Sequence, residues 1–271
     1  MSIEYINRLD IVTGKKENVK NFFENAKKIG FEDVAPIPNE LYSIKSKPNI
    51  SDKYKQKLIK KYETIDVEEW KRRNWGTSFN FLLDEYDTVI YLEGSNSILF
   101  STTNNPPIPW VITASIKYQL GLQLYYYEDS NFHVGQFQVE NGMILKDFQI
   151  ENIYDLDNLK SFSNFVDVIN IYSKTNSLQE IEELFDYYLN NYYKNLLSQV
   201  GKSSSEIDIE IKKYEILYFE LHKLYTKNGD LFTKKDLQEF YINFIKLCNN
   251  IKMIESKLNN NQTLNIDNLI I

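Results

Sequence analysis

The feature that most constrains this chain is a change of hydrophobic period near residue 155. Before it, apolar residues come in short runs broken by turn residues, the pattern of half-buried strands and short helices. After it, spacings of three and four persist over long stretches. One stripe is Ile207, Ile211, Tyr214, Tyr218, Leu221 and Tyr225, and another is Leu237, Phe240, Phe244, Leu247, Ile251, Ile254 and Leu258. The fold class that follows is α+β for the first part and all-α for the second. The sequence divides into an α+β domain at 1–154, a helical bundle at 155–259 and a flexible tail at 260–271.

Within the first part, Glu4–Thr13 predicts a strand and Lys15–Ile29 an amphipathic helix closed by Gly30. Pro36, Pro38 and Pro48 predict mostly extended chain over 31–50, followed by a charged, helix-compatible run at Lys53–Arg73. Residues 31–73 thus form a Lys-rich insertion. Strands are expected at Ser78–Leu83, Thr88–Leu92, Ile98–Ser101 and Leu122–Tyr127, with a helix at Pro109–Tyr118. Asn141-Gly142 marks a tight hairpin between Phe132–Val139 and Met143–Asp147. That order suits a ferredoxin-like antiparallel sheet with two helices and an added hairpin. In the second part Asp157–Ser173 predicts a connecting helix. Ser177 and Glu180 form a capping box for a helix to Val200, and helices follow at Ser205–Lys227 and Thr233–Leu258. An all-α helical hairpin or three-helix bundle satisfies these. The stripe on the last helix is more than one neighbour need cover, so a homodimer through the C-terminal helices is expected.

Composition excludes several classes. A hydrophobic fraction of 42% with 25% charged residues belongs to a folded chain. The N-terminal residues are polar and charged, so no signal peptide is expected, and no apolar run approaches the roughly 18 residues of a membrane span. The expected compartment is the cytoplasm, without membrane contact. The single Cys248 allows no intrachain disulfide and reads as a packing residue. Net charge is −7, but it is unevenly spread: residues 1–73 hold 16 basic and 12 acidic groups, and residues 74–170 hold 3 and 12. Such asymmetry bears on partners, not on fold.

Three stretches carry a family resemblance. They are Asn7-Arg8-Leu9-Asp10-Ile11-Val12-Thr13-Gly14, Asn74-Trp75-Gly76-Thr77-Ser78-Phe79-Asn80, and Phe100 through Trp110 with its Pro106-Pro107-Ile108-Pro109 core. Tyr125-Tyr126-Tyr127-Glu128 and Gly135 fit as well. Residues 3–145 resemble the YubB-like, ferredoxin-like-domain family of plasmid and phage proteins. The resemblance implies the fold and a mobile-element origin, and no reaction.

Catalytic signatures are sparse. The two histidines, His133 and His222, are too few for a histidine metal cluster, and the chain has no nucleophile-elbow motif, phosphate-binding loop or dinucleotide fingerprint. No cofactor and no metal are expected, and an enzyme is the less favoured class. Three groups of residues are binding candidates. Trp75, Gly76, Thr77, Pro107, Pro109 and Trp110 could floor an aromatic groove. Lys53, Lys55, Lys57, Lys60, Lys61, Lys71, Arg72 and Arg73 form a basic segment with Tyr54 and Tyr62 interleaved, suited to phosphate. Asp84, Glu85, Asp87, Glu128 and Asp129 are acidic and could face a basic partner, or hold a divalent metal in a hydrolase.

The leading expectation from these features is a mobile-element accessory protein. It would act by binding a host or element protein, and inhibition of a host defence complex is one such role. A nucleic-acid-binding module using 45–73 is the alternative, and a metal-dependent hydrolase the second alternative.

Overall fold

The computed structural model describes residues 3–45, 50–78, 89–91, 96–128, 133–153, 155, 157–159, 161–175, 178–215, 217–218 and 234–267. The chain divides into two compact units, Met1–Asn152 and Ile153–Ile271.

Among the described residues, the first unit is built on a six-stranded antiparallel sheet in the order β2-β3-β1-β4-β5-β6. Its strands are β1 (Glu4–Thr13), β2 (Val89–Tyr91), β3 (Ser97–Thr103), β4 (Gly121–Glu128), β5 (His133–Glu140) and β6 (Met143–Ile150). Helix α1 (Lys16–Ile29) joins β1 to the insertion, and α5 (Ile108–Tyr118) joins β3 to β4. The first four strands therefore make two split crossovers in the ferredoxin-like order, and the β5–β6 hairpin extends the sheet beyond β4. Asn141 and Gly142 both have positive φ, 48° and 82°, which is the type I′ geometry that matches the twist of the flanking strands.

Alternation along β1 sends Tyr5, Asn7, Leu9 and Ile11 to one face. Leu9, Leu124 and Phe137 there share one core cluster with Phe22 of α1 and Trp110, Val111 and Ala114 of α5. Fully burying each such side chain is worth roughly 1.5–3 kcal/mol, so this layer is what holds the unit together.

The insertion differs from expectation. Residues 31–50 are not mostly extended: a 3₁₀ turn (Gly30–Asp33) and α2 (Asn39–Lys45) occupy much of them. Pro38 stands immediately before α2, a place where its missing N–H costs nothing. The charged run is two helices, α3 (Asp52–Tyr62) and α4 (Val67–Trp75), because Glu63 turns left-handed at φ 63° and Asp66 caps a new start. The expected strand at 78–83 lies almost wholly outside the described residues.

The second unit is helical. Its elements are α6 (Phe162–Lys174), α7 (Leu178–Asp186), α8 (Lys194–Gln199), α9 (Ser204–Lys212) and α10 (Lys234–Asp267). A π-helical segment, Tyr187–Tyr193, joins α7 to α8. The connecting helix starts at Phe162, later than Asp157, and Ser177 lies outside the described residues. A capping box forms at Ser203, whose hydroxyl and backbone pair with Glu206.

The last helix continues to Asp267, so the residues just past Leu258 are helical where a flexible tail was expected. Its apolar stripe is covered inside this chain. Phe240 and Phe244 pack on Phe165 at 5.4 and 5.3 Å and on Phe185 at 5.1 and 5.4 Å between ring centroids. Leu237, Leu247, Ile251 and Ile254 are likewise buried, as is Cys248. Leu258, at the end of that stripe, is half-buried. Among the described residues no helix is long and apolar enough to cross a membrane.

Candidate functional site

The most distinctive residues of the sequence turn out to be core. Trp75 and Trp110 are 1% and 0% exposed, and both rings pack on Phe31, at 5.7 and 4.9 Å. The Trp75 indole N–H donates to the Ala35 carbonyl at 2.8 Å, which satisfies its one polar atom. Gly76 ends α4 at φ 87°, and a Cβ there would lie 2.7 Å from the Pro106 carbonyl oxygen and 2.9 Å from Pro109. Thr77 is fully buried and locks onto Thr103, donating to its carbonyl at 2.9 Å and accepting from its N–H at 3.1 Å. Pro107 is buried and precedes α5, and Pro109 lies in that helix's first turn. The expected aromatic groove is thus closed. A tight helix end meets a proline-shaped helix start here, which is what these residue types serve.

The acidic candidates fare differently. Asp84, Glu85, Asp87 and Asp129 lie outside the described residues. Glu128 is not on the surface: it is 1% exposed, at the end of β4, and is the only one of the five whose position is described. Among the described residues no group of three or more His, Cys, Asp or Glu side chains could hold a metal ion.

Glu128 belongs to a polar end of the sheet that sequence reasoning did not assemble. The strand register puts Thr102, Tyr5, Glu128 and His133 in one row across the sheet and Phe100, Asn7, Tyr126 and Gly135 in the following row on the same face. The Tyr5 hydroxyl and His133 Nδ1 share a hydrogen bond of 2.8 Å. Asn7 Nδ2 donates to the Tyr5 and Phe100 carbonyls and to the Thr102 hydroxyl. Burial pushes the Tyr5 phenol up, helped by the Glu128 charge. Burial also pulls the His133 imidazole down, against opposing effects of Gln149, Glu151 and Glu128. Tyr126 is raised strongly by its burial. A neutral imidazole between two neutral phenols could accept a proton, but Tyr5, Asn7 and Tyr126 are all buried, which leaves no open floor for a substrate. Pairing by register could have found this row; the separation of Tyr5 from His133 by 128 positions hid it.

The basic segment is the candidate that reaches solvent. On α3, Lys53, Lys57 and Lys60 follow one another at i, i+4 and i+7, which is one face of a helix. All three are exposed, and none makes an ion pair with a described residue. With Ser51, Tyr54 and Gln56 they line a shallow depression of about 530 Å³. Tyr54 is 38% exposed, so its ring is offered along with the charges. Lys55 pairs with Asp52 at 3.5 Å and Lys61 with Glu40 at 2.9 Å. The Tyr62 phenol, followed by the Glu40 carboxylate, holds the Lys61 ammonium above its ordinary range, and the Lys61 hydrogen bond draws the Glu40 carboxyl down to about 2. On α4 the picture reverses. Lys71 is held by Glu68 at 3.1 Å, and Arg73 by Glu69 at 2.5 Å and Glu63 at 3.2 Å. Arg72 is exposed and has no ion pair with a described residue.

Compared with known proteins, the chain matches no family model, no curated protein and no solved structure.

Proposed function

We propose that this protein works by binding rather than by turnover, and that α3 is a contact surface for nucleic acid. The observation that carries the reading is the stripe of Lys53, Lys57 and Lys60 with Tyr54 beside it, exposed and without acidic partners among the described residues. Ammonium groups spaced along one helix face suit successive phosphates, and a tyrosine face suits an unpaired base. Single-stranded nucleic acid is therefore the favoured form. In a chain of net charge −7, attraction has to be local, so moderate affinity and strong salt sensitivity are expected. The YubB-like likeness supports a setting for this activity, that of an accessory protein of a plasmid or phage.

Fluorescence anisotropy with a labelled single-stranded oligonucleotide at about 50 mM salt, where phosphate attraction is strong, tests the proposal. Binding that is lost on changing Lys53, Lys57 and Lys60 together to Gln supports it. No binding of DNA or RNA under those conditions ends it.

A second reading is the binding of a protein partner, with inhibition of a host defence complex as one such role. What favours it is the presence of exposed apolar side chains on the helical unit, Ile209, Ile242 and Met253, at 63%, 46% and 50% exposure. Size-exclusion light scattering of the wild type separates its simplest form, a homodimer, from a monomer of 32.1 kDa.

A further inference from the structure

The helical unit contains a second constructed feature, and it stands independently of α3. The seven residues Tyr187–Tyr193 are wound as a π-helix, a rare conformation that recurs at functional sites. In an α-helix, side chains five residues apart diverge by about 140°. The wider π winding instead brings Tyr187 and Tyr192 parallel, with ring planes 10° apart and centroids 6.3 Å apart. Tyr188 stands edge-on to both, at 5.4 and 6.4 Å. These three rings line a cavity of about 360 Å³.

The rest of the lining is charged. Asp155, Asp157 and Glu255 supply three carboxylates, and Lys252 supplies one ammonium. Glu255 accepts a hydrogen bond from the Tyr192 hydroxyl. That bond, followed by burial, pushes the phenol up to about 12. Lys252 is paired with Asp157. Asp155 holds the backbone N–H of Asp157 at 3.0 Å and has no ion pair with a described residue.

Tyrosine faces joined to an excess of carboxylate are the chemistry that selects organic cations over neutral or anionic ligands. The volume falls near the lower end for ligand pockets, which suits one alkylammonium group better than a nucleotide. Lys252 is itself such a group, and it already stands in the wall. We propose that this cavity binds an alkylammonium group, either of a free amine or at the end of a lysine side chain in a partner. The bound cation would take Asp155 and Glu255 and compete with Lys252 for Asp157.

The test uses the full chain and calorimetry with n-butylammonium, its neutral analogue n-butanol, and a capped peptide containing one lysine. Binding of butylammonium or of the peptide, with none of butanol, supports the site, and the better of the two cations names the source. Lys252→Met should tighten cation binding and Tyr187→Ala should weaken it, each by about three- to thirtyfold, the range of a cation–π contact or an ion pair partly shielded from water. Tyr187→Phe should keep it, because the ring face is retained, and it guards against misreading a folding defect in the alanine variant. Equal binding of butanol and butylammonium, weaker binding by Lys252→Met, or no cation binding at about 10 mM, a concentration that would reveal even a Kd in the millimolar range, overturns the proposal.

Discussion

Helices α3 and α4 are neighbours in sequence and alike in construction, yet they put their charge to different uses. Each starts at a side-chain cap, Ser51 or Asp66, and each ends at a left-handed residue, Glu63 or Gly76. Both carry two basic residues in the last turn, which complements the helix dipole. But α4 buries Val67, Trp70 and Trp75 and ties Lys71 and Arg73 to acids, whereas α3 buries Leu58 and leaves its lysine stripe in water. The difference teaches that charge counted along a sequence is not charge presented to a partner. Read as one segment, 45–73 is basic on balance; in the fold, α4 spends much of its charge on its own chain.

The sharpest way to break the comparison is through the buried helix. Trp75→Ala should cost about 3–5 kcal/mol, because it removes a core ring and leaves the Ala35 carbonyl without its donor. Urea unfolding measures this. Tyr54→Ala on α3 should change stability by less than about 0.5 kcal/mol, yet weaken single-strand binding by about 1–3 kcal/mol if the ring stacks on a base. Next in size is Gly76→Ala. A Cβ at 2.7 Å from the Pro106 oxygen, on a backbone with φ of 87°, should cost more than about 1 kcal/mol. Unchanged stability in that variant would mean the α4–α5 junction is looser than its contacts imply.

Smaller effects sharpen the contrast. Glu69→Gln releases Arg73 from its shorter ion pair, with a stability loss below about 1 kcal/mol since the pair is part-exposed. The guanidinium keeps its pair with Glu63 at 3.2 Å, so oligonucleotide binding should strengthen only slightly. The polar end of the sheet supplies the last prediction. The His133 imidazole has a native pKa below its unfolded value of about 6.5. Its contribution is therefore present above pH 6.5 and lost as pH falls through the native value. Unfolding midpoints should drop on mild acidification, and His133→Gln should remove part of that drop.

Much of the fold was legible because local rules and tertiary needs agreed. The apolar residues of Glu4–Thr13 marked β1 at its observed bounds, and Asn141-Gly142 admitted only a tight hairpin. The insertion was misread where two rules competed: Pro36 and Pro38 argue for extended chain, but Pro38 also precedes a helix start. The break between α3 and α4 rests on Glu63 adopting a conformation unusual for its type, which no composition rule signals. Site residues were harder. Trp75 and Trp110 stood out as candidates for a groove because their chemistry is conspicuous, and burial explains them instead. The π segment was readable in principle, since tyrosines at 187, 188, 192 and 193 repeat at five rather than at the helical 3.6. The His133 row was harder, because it takes the register of three strands and no local spacing signals it.

The central claim is that α3, and not α4, presents charge to nucleic acid. It is tested most directly by the salt dependence of oligonucleotide affinity in three proteins: the wild type, a Lys53→Gln, Lys57→Gln, Lys60→Gln variant, and a Lys71→Gln, Arg72→Gln, Arg73→Gln variant. If three lysines each neutralise one phosphate, log affinity against log salt should fall with a slope of about −2 for a single strand. The account predicts that slope in the wild type, its disappearance in the α3 variant, and a smaller change in the α4 variant, where only Arg72 is left unpaired among the described residues. Equal losses in the two variants, or a wild-type affinity indifferent to salt, would contradict it.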